Sequence, residues 1–281
     1  VVDDQSQDNT PAAIDQCVAT DPRIINIRHE VNKGVGGAIS TGYIWCREND
    51  IDVAVVMAGD NQMDPEDLPA LLNPVVEDRA DYSKGNRLFT GEAWETIPRA
   101  RYLGNASLSF LTKIASGYWH VADSQTGYTA INKYALKTIP LEKIYPRYGM
   151  PNDLLVTLNI YNMRVIDVPV RPVYGEEVSG LKIRKVLFTL SFLLLKLFFR
   201  RLISKYVIRD FHPLVMFYAS GLLSSFMAIL FFIRSIIGWI VNGNIPDITF
   251  LSFLLCAISG LQLILFAMLF DMQDNRDLKG K

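Results

Sequence analysis

Two uncharged, apolar runs near the C-terminus set the first limit on how this chain can fold. Residues 213–233 and 248–270, 21 and 23 residues long, contain no Asp, Glu, Lys or Arg. About 20 apolar residues suffice to cross the ~30 Å hydrocarbon core of a bilayer. Joined by a short segment, the two runs read as a transmembrane hairpin. Lys196, Arg200, Arg201, Lys205 and Arg209 precede it, residues 235–247 between the runs carry no Lys or Arg, and Arg276, Lys279 and Lys281 follow. Basic flanks stay on the cytoplasmic side, so the rest of the chain and a tail of residues 272–281 are expected there.

Residues 181–211 mix Leu and Phe with many Lys and Arg. This segment is too charged to span a bilayer and is expected to form basic amphipathic helices at an anionic membrane surface. A basic helix packed on a soluble domain is the alternative. The formal net charge of the chain is -1, which leaves no global basic field of the kind that binds nucleic acid. Cys17, Cys46 and Cys256 are widely spaced and give neither a disulfide framework nor a zinc motif.

Residues 1–180 alternate short apolar runs with helical segments. Strands are expected at 1–2, 24–28, 53–57, 81–86, 127–131 and 164–170. Helices are expected at 11–19, 36–48, 65–76, 101–116 and 153–162. This order implies an α/β fold with an open, mostly parallel sheet, whose ligands sit beyond the carboxyl ends of the strands. The chain starts without Met, at what reads as the end of a strand, so a preceding strand and helix are expected to be missing.

The run "VVMAGDNQMDP" ends a buried strand in Asp60, Asn61 and Gln62. A carboxylate and an amide oxygen on alternate residues of a turn suit a hard cation such as Mg²⁺ or Mn²⁺, which takes its other ligands from substrate phosphate and water. An Asp-Asn turn before a helix has the same composition. The glycines of Asn32-Lys33-Gly34-Val35-Gly36-Gly37 precede a helix N-terminus and permit close backbone approach, by a nucleotide or by neighbouring chain.

Taken in order, "VVDDQSQDNT", "NKGVGGAIS", "AGDNQMDPEDL", "GNRL" and "DSQTGY" resemble the inverting family 2 glycosyltransferases of GT-A fold, and among them the polyprenyl-phosphate (dolichol-phosphate) mannose and glucose synthases. The resemblance covers about residues 1–182. It implies a UDP- or GDP-sugar donor, a polyprenyl phosphate acceptor and Mg²⁺ or Mn²⁺. It gives Asp3 and Asp4 contacts to the base or ribose, Asn32, Lys33 and Gly34 a place against the nucleotide, and Asp60 and Gln62 the metal. The usual D-x-D-x-Q of the family has Ala58 for its first Asp, one ligand fewer. Arg87 and Arg101 are implied to hold the acceptor phosphate, with Asn105 one turn after Arg101; Arg99 is a rival to Arg101. Asp123 is implied near the acceptor as base or orienting group. Asp153 is read as a sugar contact or a helix cap, and Arg171 with the loop 174–182, including Lys182, as a closure over the diphosphate. A different membrane acceptor, such as diacylglycerol or a glycan, and a non-catalytic nucleotide-binding scaffold are the competing readings.

Overall fold

The structure is a computed structural model that describes residues 1–88, 99–171 and 183–281, the side chains of 99–105 and 183–187 excepted. It divides into two compact units, Val1–Arg201 with Asp277–Lys281, and Leu202–Arg276.

In the first unit a short parallel pair joins β1 (Val2–Asp3) and β2 (Ile27–Arg28), with α1 (Thr10–Thr20) between them in sequence. After α2 (Val35–Glu48) comes a four-stranded sheet built from β3 (Val53–Val56), β4 (Tyr82–Asn86), β5 (Thr129–Asn132) and β6 (Val165–Pro169), in the order β3-β5-β4-β6. The strands β4 and β6 are parallel, whereas β5 runs antiparallel to both of its neighbours. The α/β class is as expected from the sequence, but the sheet is mixed. The reversal matters for the site: the loop entering β5 lies at the same end of the sheet as the loops leaving β3 and β4.

Successive side chains of a strand point to opposite faces, and here both faces are covered. Ala54, Tyr82, Ile131 and Val165 join a core with Tyr43 of α2 and with Leu154, Leu155 and Leu158 of α6 (Met150–Ile160). Their neighbours Ala130 and Val168 face the other way, onto Leu71 and Val75 of α3 (Leu68–Val76). A further helix, α5 (Lys133–Thr138), follows β5 directly; six residues are too few for a legible 3.6-residue period.

The helix α4 (Arg99–Ser116) packs with α6 against α7 (Ile183–Ile203). Leu190, Leu194 and Leu197 recur at helical spacing on α7 and bury against Leu108, Val156 and Ile160. The basic helix expected within 181–211 is present as α7, and its described turns up to Arg201 belong to the sheet unit. Two of its cations serve that packing. Arg200 pairs with Asp153 at 2.5 Å. The buried Arg201 donates from Nε to the Ala115 carbonyl and from Nη2 to that of Ile114, at 2.9 and 3.1 Å, at the end of α4. These carbonyls have no intrahelical partner, and a guanidinium satisfies both their hydrogen bonds and the helix dipole. Phe188, Phe192, Leu195 and Phe199 remain exposed on α7.

The tail is also part of this unit. Lys279 bridges to Val165 in parallel fashion, Gly280 N–H donates to the Val165 carbonyl at 3.0 Å, and Lys281 N–H to that of Arg79 at 3.1 Å. The tail is therefore held beside the start of β6 by a single isolated bridge and by hydrogen bonds to Val165 and Arg79.

The second unit is an antiparallel helical hairpin. A π-helical turn, Ser204–Arg209, leads into α8 (Leu214–Asn242), which connects through 243–246 to α9 (Asp247–Asp274). Both helices are long and apolar enough to cross a membrane, and both are mostly unburied, unlike the core helices of a soluble protein. Gly221, Ser225 and Gly260 meet where they cross. At the open end Tyr206 donates to Asp271 at 2.8 Å and Lys205 to Asn275 at 2.7 Å, so the polar groups buried there are hydrogen-bonded.

Candidate active site

Asp60, Gln62, Arg87, Asp123 and Arg171 flank one end of the four-stranded sheet, whereas Asp3 and Asp4 follow the separate β1–β2 pair. Asp123 is buried in the loop that enters β5, and Arg87 directly follows β4. The Arg87 Nε donates to Asp123 Oδ2 at 2.8 Å, its Nη2 reaches Oδ1 at 3.4 Å, and its backbone N–H reaches Oδ2 at 3.3 Å. Gln125 N–H caps Oδ1 at 3.0 Å. Burial alone would push the Asp123 carboxyl up; the Arg87 charge and hydrogen bond, with Lys84 behind, outweigh it and hold the group below the ordinary carboxylate value. Two residues with separate expected roles thus form one unit, a carboxylate held by an arginine fork.

Sequence reasoning missed the groups behind this pair. Lys84 is fully buried within β4, and Asp167 lies opposite it in register on β6. The Lys84 ammonium donates to the Thr126 carbonyl. Asp167 Oδ2 accepts from Ala122 N–H at 2.6 Å and from Asn86 Nδ2 at 3.1 Å. Burial lowers the Lys84 pKa and raises that of Asp167. The available signal was a lone Lys in "YSKGN" and a lone Asp in "VIDVP", each interrupting a strand.

Asp60 and Gln62 sit in the exposed turn after β3, where Asp60 Oδ1 accepts Gln62 N–H at 3.1 Å. Asn61 is left-handed, with φ of 57°. Among the described residues no three His, Cys, Asp or Glu side chains cluster as a metal site. The donors here are one carboxylate and one amide oxygen at an open strand end. They fit a hard divalent cation that takes its remaining ligands from a diphosphate and water. The nearby Asp64 is committed elsewhere: it accepts Glu66 N–H at 2.9 Å, and Arg171 pairs with it at 3.0 Å, and with Glu66 and Asp67 at 2.9 and 3.2 Å. Arg171 therefore ties the end of β6 to the turn before α3.

At the end of β1 the two aspartates have different surroundings. Asp4 accepts Lys33 and Gly34 N–H at 2.8 Å each, and His29 Nδ1 lies 2.7 Å from its Oδ1. The other ring nitrogen of His29 lies 2.9 Å from Thr41 Oγ1. Asn32 Nδ2 donates to the Asp4 carbonyl at 3.0 Å. Asp4 thus folds the Asn32-Lys33-Gly34 turn. Asp3 is buried, accepts Ser6 N–H at 2.9 Å and has Arg28 Nε 3.3 Å from Oδ2, an oxygen with no hydrogen bond among the described groups. A close backbone approach is indeed made at the glycines, by the protein's own chain. Gly34 has φ +82°, and a Cβ there would lie 2.7 Å from the Pro146 carbonyl oxygen; one on Gly36 would lie 2.5 Å from that of Tyr145. The glycines let 145–147 pack on this turn.

Asp153 is buried, accepting Tyr145 N–H at 2.7 Å as well as Arg200; it fastens α6 to its surroundings. Arg101 and its neighbours Arg99 and Asn105 lie on α4, but their side chains are outside the described residues, as are Lys182 and the loop 174–182.

Residues 1–139 match the family described as glycosyl transferase family 2. The chain is 31% identical over 188 residues to the UDP-N-acetylglucosamine–dolichyl-phosphate N-acetylglucosaminyltransferase of Methanococcus voltae, covering 63% of this chain and 74% of that protein. It is 32% identical over 177 residues to the undecaprenyl-phosphate mannosyltransferase of Micrococcus luteus, covering 63% and 72%. It is 28% identical over 197 residues to the polyprenol monophosphomannose synthase of Mycolicibacterium smegmatis, covering 68% and 74%. The α/β unit carries the Arg87–Asp123 pair at one end of its mixed sheet. The chain belongs to glycosyltransferase family 2 and is a glycosyltransferase.

Proposed function

We propose that this protein is a membrane-bound inverting glycosyltransferase that moves a sugar from a UDP- or GDP-sugar to a polyprenyl phosphate on the cytoplasmic face. The observation that carries the reading is the Arg87–Asp123 pair at the carboxyl end of the sheet, in a chain whose relatives from three organisms are named for polyprenyl or dolichyl phosphate acceptors. The two apolar helices supply the membrane attachment that such an acceptor requires, since its phosphate cannot leave the interface.

Donor binding falls to the β1 end. Asp3 contacts the base or ribose, and Asp4 holds Asn32, Lys33 and Gly34 in the turn beside it. Asp60 and Gln62 would hold Mg²⁺ or Mn²⁺, which supplies charge neutralisation for the departing diphosphate. Arg87, with Arg101 on α4 and Lys182 beyond β6, meets phosphate oxygens. A phosphate monoester has its second pKa near ~6 and is largely ionised at neutral pH, so the acceptor needs alignment more than deprotonation. Asp123 supplies that alignment by fixing the Arg87 fork, and attack from the face opposite the leaving group inverts the anomeric carbon.

Topology supports the cytoplasmic reading. An even number of spans returns the chain to its starting side, and Lys279 and Gly280 contact Val165 of β6 in the catalytic unit. The basic residues flanking the hairpin give the orientation. Transfer to diacylglycerol or a glycan is the main rival within the family. The decisive assay incubates membranes containing the protein with Mg²⁺ or Mn²⁺, labelled UDP- and GDP-sugars and polyprenyl phosphate. Label in the organic phase, lost in Asp60→Ala, is the expected result. Transfer only to other acceptors would overturn the polyprenyl reading.

A further inference from the structure

We infer that Lys84 and Asp167 act together as a positioning pair for Asp123, gripping the loop that carries it from both sides. The inference rests on the proposed role of Asp123. The two residues are register partners on the parallel strands β4 and β6. Asp167 takes the backbone N–H of Ala122, one residue before Asp123, at 2.6 Å. Lys84 gives its ammonium to the carbonyl of Thr126, three residues after it. Asp123 is thus bracketed by one anchor on each side, and both anchors are side chains rooted in adjacent strands, the most rigid part of the fold.

The choice of residue types argues against a packing role. Lys84 is fully buried, and a buried cation is costly unless paired and hydrogen-bonded. A Met of similar length would fill the same volume without that cost. What Met lacks is a donor for Thr126 and a charge beside Asp123. Asn86 Nδ2 holds Asp167 Oδ2 from the far side at 3.1 Å, so the anchoring carboxylate is itself fixed. The charged groups that bear on Asp123 are Lys84 of β4 and Arg87 just after it; Asp123 in turn bears on Asp167 of β6, as do Lys84 and Lys113 of α4.

The opposite charges of the two anchors make the inference testable. Lys84 stabilises the Asp123 carboxylate, and because Asp123 and Asp167 are like charges that disfavour each other's ionised form, Asp167 opposes it. In Lys84→Met the Asp123 carboxyl therefore rises, and in Asp167→Asn it falls. Both variants loosen the loop, and a misplacement of about 1 Å can cost on the order of 100-fold in rate. The experiment uses the full chain in detergent or membranes and measures kcat and donor KM from pH 4.5 to 8, with hydrogen–deuterium exchange over 121–128. Expected are faster exchange confined to that loop in both variants and a fall in kcat with donor KM unchanged. Asp167, pushed up to about 6 by burial, is held down in part by Lys84, so an acid-side loss of rate should appear at higher pH in Lys84→Met but not in Asp167→Asn, where that carboxyl is gone. Lys84→Arg, which keeps charge and donor, restores most of the rate. Unchanged loop exchange in both variants overturns the inference, with or without activity. So does an identical pH profile in both, which is what loosened packing alone would give. If Lys84→Met does not fold, Asp167→Asn and Lys84→Arg decide by the same loop exchange. Absence of transfer to polyprenyl phosphate by the unmodified protein would instead refute the acceptor assignment, while the exchange data still judge the grip on the loop.

Discussion

Arg200 Nη2 donates to Asp153 Oδ1 at 2.5 Å and to Thr157 Oγ1 at 2.9 Å, fastening α7 to α6. Asp153 is buried while Arg200 keeps a third of its side chain exposed. Removing Arg200 leaves a buried carboxylate with only the Tyr145 N–H and the Thr157 hydroxyl. Such one-sided removal is strongly destabilising, whereas removing both partners costs less. Arg200→Ala is expected to destabilise the protein by about 2–3 kcal/mol, reduced from the fully buried case by solvent access to the guanidinium. The double variant Arg200→Ala with Asp153→Asn should recover part of this loss. Thermal unfolding of the three variants in one detergent measures the coupling; strictly additive effects would mean that the pair does not join the helices.

Asp4 gathers the N–H groups of Lys33 and Gly34 and the ring of His29 on one carboxylate. Asp4→Ala leaves these donors without their acceptor, at a cost of about 1–3 kcal/mol where water cannot replace it. The expected kinetic result is a several-fold rise in donor KM with a smaller change in kcat, because the turn it folds sits beside the proposed nucleotide site. Asp3→Ala should raise donor KM without a comparable loss of melting temperature. Equal loss of stability in both variants would remove the distinction drawn between the two aspartates.

Acid stability is tied to Asp81. Burial pushes its carboxyl up, but hydrogen bonds from Arg164 and Asn132 and the Arg164 charge overcome this and hold it below its ordinary value. Arg164 N–H reaches Oδ2 at 2.7 Å and Arg164 Nη2 reaches Oδ1 at 3.0 Å. A carboxyl with a depressed folded pKa gives stability that is present above the unfolded value, near ~3.9, and is lost as pH falls through the folded value. Melting temperature should therefore drop steeply below about pH 4. Asp81→Asn should melt lower at pH 7 and show a shallower acid slope. An unchanged slope would exclude Asp81 as a contributor.

The alternation of strands and helices was legible because buried strands such as Val53–Val56 are short apolar runs between turn residues. Strand direction was not, since periodicity carries no polarity; the reversal of β5 emerges only from its pairing. Arg87 and Asp123 were each recognisable by motif, yet their contact joins residues 36 apart and no local pattern encodes it. The basic character of 181–211 was visible, but charge does not name its partner, and Arg200 and Arg201 proved to bind the protein itself. The glycines of 34–37 did signal close approach; the approaching backbone is that of 145–147, over 100 residues distant. Lys84 and Asp167 were hidden because one polar residue in a strand ordinarily faces water.

The return of the tail to β6 makes the membrane topology testable without an activity assay. Lys279 bridges to Val165, Gly280 and Lys281 N–H donate to Val165 and Arg79, and Arg79 Nη1 donates back to the Lys281 carbonyl at 3.0 Å. With two spans, the tail and the sheet are expected on the same side of the membrane. Cys17 is exposed on α1 and reports that side, whereas Asn244 lies in the turn between α8 and α9 and reports the other. With Cys46 and Cys256 replaced by Ser, a membrane-impermeant thiol reagent added to intact cells is expected to label Asn244→Cys and to spare Cys17 and an added Asp277→Cys. After permeabilisation the latter two become labelled. Labelling of Asp277→Cys alongside Asn244→Cys in intact cells would place the tail across the membrane from the sheet and refute the hairpin.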